Sequence, residues 1–351
     1  MITKYGKSVA DIQEHKQHFF DDNENLVKEQ AQCAEQYNRQ PIRTECKMCK
    51  EPFATGISFH SHGVDYVICK KCGHICGTHE ETKAYCDYLY LDSNYSSYMY
   101  TDNVENKEKS KKKYDKRTAD IYLPKAKFLK EVLEAEGLLE NQIKIFDIGA
   151  GSGYFVSACD DLNLQSHGVD MSQTQIYFGN QFLHKENTDS DLRTIEAGEL
   201  EHYVRVSDCN VISAIGVVEH LIDFHEVFEA ACSNRNINYF YMMVPMFGLS
   251  NILEMMHPDV YNRHLGGVHT HVFSHQSIDY LCEKYGMEII AKWQFGTDMM
   301  DMFRICMVKN GLQMEEVLRE KLYPCLDQMQ LVLDQHDFCS EIHVVLKLKS
   351  R

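Results

Sequence analysis

The sequence predicts an α/β protein, with a doubly wound, seven-stranded and mostly parallel sheet and a small N-terminal cysteine module. Three observations carry that expectation. From Ile121 onward, short apolar runs alternate with amphipathic stretches, the pattern of parallel strands joined by crossover helices. The run IFDIGAGSGYFV at 145–156 closes an apolar strand on Asp147, then places Gly149, Gly151 and Gly153 at every second position before a helix-like segment. Two CxxC pairs, Cys46/Cys49 and Cys69/Cys72, stand nineteen residues apart.

Taken in order, residues 1–42 are polar and carry no glycine after Gly6, which predicts a helical extension ending before Pro41. Residues 43–80 hold the cysteine pairs. Residues 81–120 are rich in Tyr and Lys, with KEKSKKKYDKR at 107–117, and read as a solvated connector. Its tyrosines at 88–100 are candidates for closing over a bound molecule.

The α/β region spans 121–351. IYLPKAKFLKEVLEAEG is a helix closed by Gly137, and QIKIFDIG is the first strand. SGYFVSACDDL is a helix, SHGVDMS a strand, TQIYFGNQFLHK a helix and LRTIEAG a short strand. NVISAIGV and NYFYMMVP are strands flanking the helix EHLIDFHEVFEAAC. SHQSIDYLCEKYG is a helix ending on Gly286 before the strand MEIIAKWQFG. EEVLREKLYPCLDQMQLVLDQH is helical with a kink at Pro324, and EIHVVLKLK is the last strand.

The formal net charge of −16 argues against a nucleic-acid partner, because binding a polyanion requires a positive surface. No run of eighteen apolar residues occurs, so no membrane partner is expected. The first twenty residues lack the apolar core of a signal peptide, so a cytoplasmic location is expected. There the fourteen cysteines are thiols or metal ligands rather than a disulfide framework. Oligomeric state is not legible.

In the glycine turn the backbone can take positive φ and approach a ligand closely. Asp170, ending the strand LQSHGVD seventeen residues beyond Gly153, can accept both hydroxyls of an adenosine ribose. A dehydrogenase turn reads G-x-G-x-x-G, and here the third glycine comes one position early. The order DIGAGSG, GVDMS, AIGVVEHL resembles the class I S-adenosylmethionine-dependent methyltransferases over roughly residues 120–350. The resemblance implies a Rossmann-like domain with S-adenosylmethionine as donor. Its implied ligands are Gly149, Gly151, Gly153 and Asp170, with Asp147 organising the turn and the donor's amino group. Met171 is implied against the adenine, and Glu199, competing with Glu196 and Glu201, beside the adenine amino group. Gly216 and its neighbours are implied beneath the transferable methyl group, leading into Glu219 and His220, whose alternative role is helix capping.

Methyl transfer aligns a nucleophile in line with a sulfonium and, for a hydroxyl or carbon acid, removes a proton. Histidine is the natural base, and PMFGLSNILEMMHPDVYNRHLGGVHTHVFSHQS supplies His257, His264, His269, His271 and His275. His269 and His271 match an H-x-H phrase that lies near the acceptor in related enzymes. Sugar C-methyltransferases resemble this phrase with Glu where Thr270 stands, which puts a carbon nucleophile in doubt. Asp298, Asp301 and Arg304 are either acceptor ligands or one polar helix face, with the second slightly preferred.

Matched CxxC knuckles point to tetrahedral Zn²⁺ on Cys46, Cys49, Cys69 and Cys72, with a dithiol redox pair as the rival and Cys76 and His74 as spare donors. An N-terminal zinc ribbon ahead of such a domain resembles deoxysugar C-methyltransferases and polysaccharide-modifying enzymes, in which the metal is structural. The expected function is methyl transfer to a small, sugar-derived acceptor, free or nucleotide-linked. The rivals are an RNA or protein methyltransferase gripping its substrate with the ribbon, and a scaffold with a degenerate pocket. The intact glycines and Asp170 weigh against the scaffold.

Overall fold

The computed structural model describes residues 1–8, 18–89, 107–196, 198–267, 269–311 and 314–349. Twelve strands form two sheets among these residues. The larger holds β1 (Ile2–Tyr5), β5 (Lys144–Ile148), β6 (Gln165–Asp170), β7 (Asp191–Thr194), β8 (Val211–Ile215), β9 (Tyr239–Pro245), β11 (Met287–Gln294) and β12 (Glu341–Leu348). Their order is β1-β11-β12-β9-β8-β5-β6-β7, and only β12 runs against its two neighbours.

The expected count of seven strands is therefore corrected to eight. The extra strand is the N-terminal segment, expected helical, which pairs parallel to β11 from Ile2↔Ala291 to Tyr5↔Gln294. Gly6 continues that pairing, its N–H donating to the Gln294 carbonyl while the Trp293 indole donates to the Gly6 carbonyl. ITKY is too short to show a period, and it becomes a strand because β11 offers an open edge.

α1 (Asn23–Tyr37) packs against Val64, Tyr66 and Ile75, and the helices that follow are α2 (Lys107–Arg117), α3 (Leu123–Ala135), α4 (Tyr154–Asp160), α5 (Gln173–Phe182), α6 (Leu200–Val206), α7 (Phe224–Ser233), α8 (Leu249–Met255), α9 (His275–Tyr285), α10 (Asp298–Asn310) and α11 (Leu326–Gln335), with α3 and α7 covering opposite faces of the larger sheet. One apolar layer packs Phe146, Ile148, Ile212, Phe240 and Val344 beneath Phe224 and Phe228 of α7. The other packs Ile145, Tyr241, Trp293 and Val345 beneath Phe128 and Leu129 of α3. Strand alternation supplies both layers from the same strands.

Two departures have local causes. The second half of the expected connector is α2, anchored by the buried Tyr114 in an otherwise charged run. The long helix expected around Pro324 is divided into a π turn at Leu318–Leu322, a 3-10 turn at Tyr323–Cys325 and α11, since proline lacks the N–H that would continue it.

The smaller sheet is antiparallel, ordered β10-β4-β3-β2, with β2 (Ile57–Ser61), β3 (Val64–Ile68) and β4 (Ile75–Gly77) from the cysteine region. Its fourth strand, β10 (His271–Val272), comes from the α/β region two hundred residues later, pairing His271↔Cys76 and Val272↔Ile75. Among the described residues, no helix is long and apolar enough to cross a membrane.

Candidate active site

The glycine turn sits at the carboxyl end of β5, where open α/β sheets bind their ligands. Gly149, Gly151 and Gly153 have φ of 64°, 53° and 74°. A Cβ on Gly153 would stand 2.4 Å from Leu192 Cδ1, and one on Gly149 2.5 Å from Val217 Cγ2. Both conformation and space therefore require glycine there. Asp170 binds this turn directly, its Oδ2 accepting from the Gly151 N–H and its Oδ1 from the Ser172 N–H, each at 2.8 Å. Burial holds the Asp170 carboxyl above its ordinary range.

Asp147 is buried beneath the turn, where its Oδ1 accepts from the Ser213 hydroxyl at 2.6 Å. Burial, reinforced by Asp170, pushes its carboxyl up to about 7. Met171 is 40% exposed at the rim. Glu199 caps α6 from the surface and accepts from the Glu196 N–H at 2.9 Å.

A feature not foreseen from sequence borders this turn. Tyr114 of α2 donates to or accepts from the Ser157 hydroxyl at 2.8 Å, lies 3.1 Å from the Ser152 carbonyl oxygen, and stacks on Tyr154. Arg117 lies over the Tyr154 ring, and the Lys125 ammonium is buried in the field of Glu341, Asp147 and Glu219. The one signal for this was an aromatic residue inside a lysine run. Of the tyrosines at 88–100, Tyr88 packs against Tyr85, and Tyr90, Tyr95, Tyr98 and Tyr100 lie outside the described residues.

Gly216, at φ 70°, follows β8, and a Cβ there would stand 3.7 Å from Glu219 Oε1. Glu219 and His220 sit in a single 3-10 turn, Val218–His220. Glu219 is only 4% exposed, and burial pushes its carboxyl up to about 8. His220 is pushed down to about 4, by burial and then by Lys47. The His269 ring lies 5.0 Å from that of His220. The three side chains offer donor atoms within 4.8 Å of one another.

His271 has different surroundings. Its Nδ1 is 3.0 Å from His74 Nε2, its ring stacks on Phe224, and it is fully buried. Burial holds it well below the ordinary histidine range, and His74 is pushed down to about 4 for the same reason. His264 bonds Glu254 at 3.0 Å, and His275 lies 3.8 Å from Asp337. The histidine-rich loop thus scatters its imidazoles, and only His269 joins Glu219 and His220.

The N-terminal region grips this loop. The Tyr66 hydroxyl accepts from the Gly266 N–H at 2.7 Å and donates to the His269 carbonyl at 3.1 Å. Gly77 N–H donates to the Thr270 carbonyl at 2.7 Å, and Gln30 of α1 bonds Asn262 and Leu265. Lys47 Nζ reaches the Leu221 carbonyl at 2.7 Å, just beyond His220.

Asp298, Asp301 and Arg304 are wholly buried. Asp301 pairs with Arg263 at 2.8 Å and Arg304 with Glu254 at 2.8 Å, an internal ion network joining α8 to α10.

The Sγ atoms of Cys46, Cys49, Cys69 and Cys72 also lie within 4.8 Å of one another, with Cys46–Cys72 at 3.6 Å and Cys49–Cys69 at 3.5 Å. The two knuckles match: Lys50 N–H donates to the Cys46 carbonyl and Gly73 N–H to the Cys69 carbonyl. Lys50 and Gly73, each following the second cysteine of its pair, take φ of 60° and 68°.

Residues 119–292 match the family model described as a methyltransferase domain. Comparison with curated proteins finds no match. The chain is similar to a SAM-dependent methyltransferase from Archaeoglobus fulgidus, with 15% identity over 63% of this chain and 94% of that one, at a TM-score of 0.39. It is also similar to magnesium protoporphyrin IX methyltransferase from Synechocystis PCC 6803, with 11% identity over 77% and 100%, at 0.45. A third is phosphoethanolamine N-methyltransferase 2 from Haemonchus contortus, with 14% identity over 62% and 51%, at 0.38. The domain match over 119–292, which takes in the glycine turn and the strand-end aspartates, leads to one conclusion: the chain carries a methyltransferase domain.

Proposed function

We propose that the protein transfers the methyl group of S-adenosylmethionine to a small, sugar-derived acceptor bound between the carboxyl end of β8 and the loop carrying His269. The observation that carries this reading is the convergence of Glu219, His220 and His269 beside Gly216, at the end of the strand next to the glycine turn. The donor supplies an electrophilic methyl group on a sulfonium. Gly149, Gly151 and Gly153 let the turn approach it, Asp170 accepts from its ribose, and Asp147 accepts from its amino group. Met171 lies against the adenine, with Glu199 beside the adenine amino group. Glu219, His220 and His269 line the acceptor side. In this reading His269 takes the acceptor's proton, and His271 holds the loop by its pairing with Cys76 and its contact with His74.

The cysteine cluster fits a structural Zn²⁺. Four sulfurs at about 2.3 Å from one ion stand about 3.8 Å apart, close to the two separations observed. Four thiolates leave no exchangeable position, so the metal stabilises the knuckles and, through β4 and Tyr66, the loop bearing His269. This is a module built onto the active-site loop. With the acidic net charge, that weighs against a ribbon free to grip RNA.

The test is a turnover screen with methyl-labelled donor against nucleotide sugars, free glycans, RNA and protein extracts. Label in a sugar fraction, abolished by Asp170→Asn and His269→Ala, is the expected outcome. Label confined to RNA or protein would sink the acceptor class proposed.

A further inference from the structure

Resting on that reading, we propose that Glu219, His220 and His269 bind a divalent transition-metal cation, separate from the cysteine-bound metal, and that it chelates vicinal oxygens of the acceptor beside the methyl group.

The first support is geometric. Glu219 Oε1 and His220 Nε2 are 3.9 Å apart, and the three donors fall within 4.8 Å of one another. Ligands at about 2.0–2.2 Å from one cation stand about 3–4 Å apart, so modest side-chain adjustment closes the set. The second support is a pair of orphaned atoms: Glu219 Oε2 and His269 Nδ1 are buried with no hydrogen-bond partner. A buried carboxylate oxygen and imidazole nitrogen left without partners cost free energy that a ligand would recover.

A neighbouring trio shows the contrast. Glu254, His264 and Asp301 are equally close, but the Arg304 and Arg263 guanidiniums already occupy Glu254 and Asp301. That group is neutralised from within the fold. Among the described residues Glu219 has no guanidinium or ammonium in salt-bridge contact and feels Lys125 only through its field.

Two imidazoles and one carboxylate favour Mn²⁺, Fe²⁺, Co²⁺ or Zn²⁺ over Mg²⁺ or Ca²⁺. Three protein donors in a six-coordinate shell leave three positions, enough for two adjacent acceptor oxygens such as a vicinal diol. The His269 lone pair that would take a proton then binds the cation, and the acidity of a metal-bound oxygen does the work of the base. The site also accounts for the hold that Tyr66 and Gly77 keep on residues 266–270, since ligation demands a fixed His269.

The experiment uses the full chain with its cysteine cluster loaded with zinc. Mn²⁺ is titrated in, and the loss of the free-ion paramagnetic resonance signal is read. One equivalent taken up by the wild type, weakened at least tenfold in both Glu219→Gln and His269→Ala, is expected. Donor binding by calorimetry should remain within a few-fold, which shows that the variants are folded. No uptake while the donor still binds would overturn the metal and leave His269 as the base. Uptake unchanged in both variants would overturn it equally. A wild type that fails to bind the donor would instead sink the methyltransferase reading of the pocket.

Discussion

The two sides of the proposed active site, donor and acceptor, are built by opposite means. The proposed donor side is largely local: Asp147, the three glycines and Asp170 fall within twenty-four consecutive residues, and their carboxylates are satisfied by Gly151, Ser172 and, from β8, Ser213. The acceptor side is assembled from distant segments. Glu219 and His220 come from the end of β8, His269 from a loop after β9, and the groups that hold that loop from residues 30, 66 and 77. Its polar atoms are left partly unsatisfied. A self-satisfied turn is ready to receive a fixed ligand, whereas an unsatisfied cluster waits for whatever completes it.

That contrast is breakable. The largest expected effect comes from Cys72→Ser or zinc chelation. Structural zinc sites contribute on the order of 10 kcal/mol to their modules, so the β2–β4 sheet should loosen and release the His269 loop. Turnover should fall at least about a hundredfold while donor affinity changes only a few-fold, read side by side by activity and calorimetry. Equal collapse of both would show that the two sides are not separable.

Next in size is Gly153→Ala. It forces a β-carbon into positive φ and against Leu192, costing about 1–2 kcal/mol of backbone strain and about 1–3 kcal/mol of overpacking. Thermal stability and donor affinity should fall together. Loss of neither would contradict the close approach at this turn.

Asp147 supplies the pH dependence. Its folded carboxyl, pushed up to about 7, holds its proton more tightly than the unfolded chain, so its stabilising contribution is present at low pH. It erodes as pH rises from about 4, the unfolded value, through about 7, by up to about 4 kcal/mol. Asp147→Asn should flatten that part of the stability profile. A cationic amino group bound beside Asp147 should expel its proton, visible near pH 6 as a buffer-dependent heat of binding. Equal heats in buffers of different ionisation enthalpy would remove Asp147 from the donor's amino group.

The smallest effect sharpens the boundary of the donor side. Met171→Ala at the 40% exposed rim should weaken donor binding by about 1 kcal/mol, without altering the melting temperature. A loss above about tenfold would mean that the rim closes over the adenine.

The glycine turn was legible because its conformation is written at short range. Glycines at every second position after an apolar strand require a turn, and an aspartate ending the next parallel strand arrives beside it. The CxxC knuckles were legible for the same reason, since each is a turn of five residues. The eighth strand was not, because Ile2–Tyr5 takes its conformation from the edge of β11. The histidine-rich loop showed its composition but not its sorting. His269 and His271 stand two apart, a spacing that a strand would place on one face; His269 lies outside β10, and the loop turns it toward Glu219 while His271 meets His74.

By itself, then, the sequence determined the α/β class, the glycine turn with its strand-end aspartates, and the paired thiols, because each is a repeat or turn whose geometry follows from neighbouring residues. Only the tertiary structure decided that the cysteine sheet borrows β10 from the α/β region, that Asp301 and Arg304 are spent on an internal ion network and Asp298 on hydrogen bonds to Ser250, Gln330 and Ser340, and that Glu219, His220 and His269 share one cluster. Those outcomes depend on contacts between residues from 32 to 197 positions apart, which are set by how the sheets stack and which edges are open, and no local pattern records them.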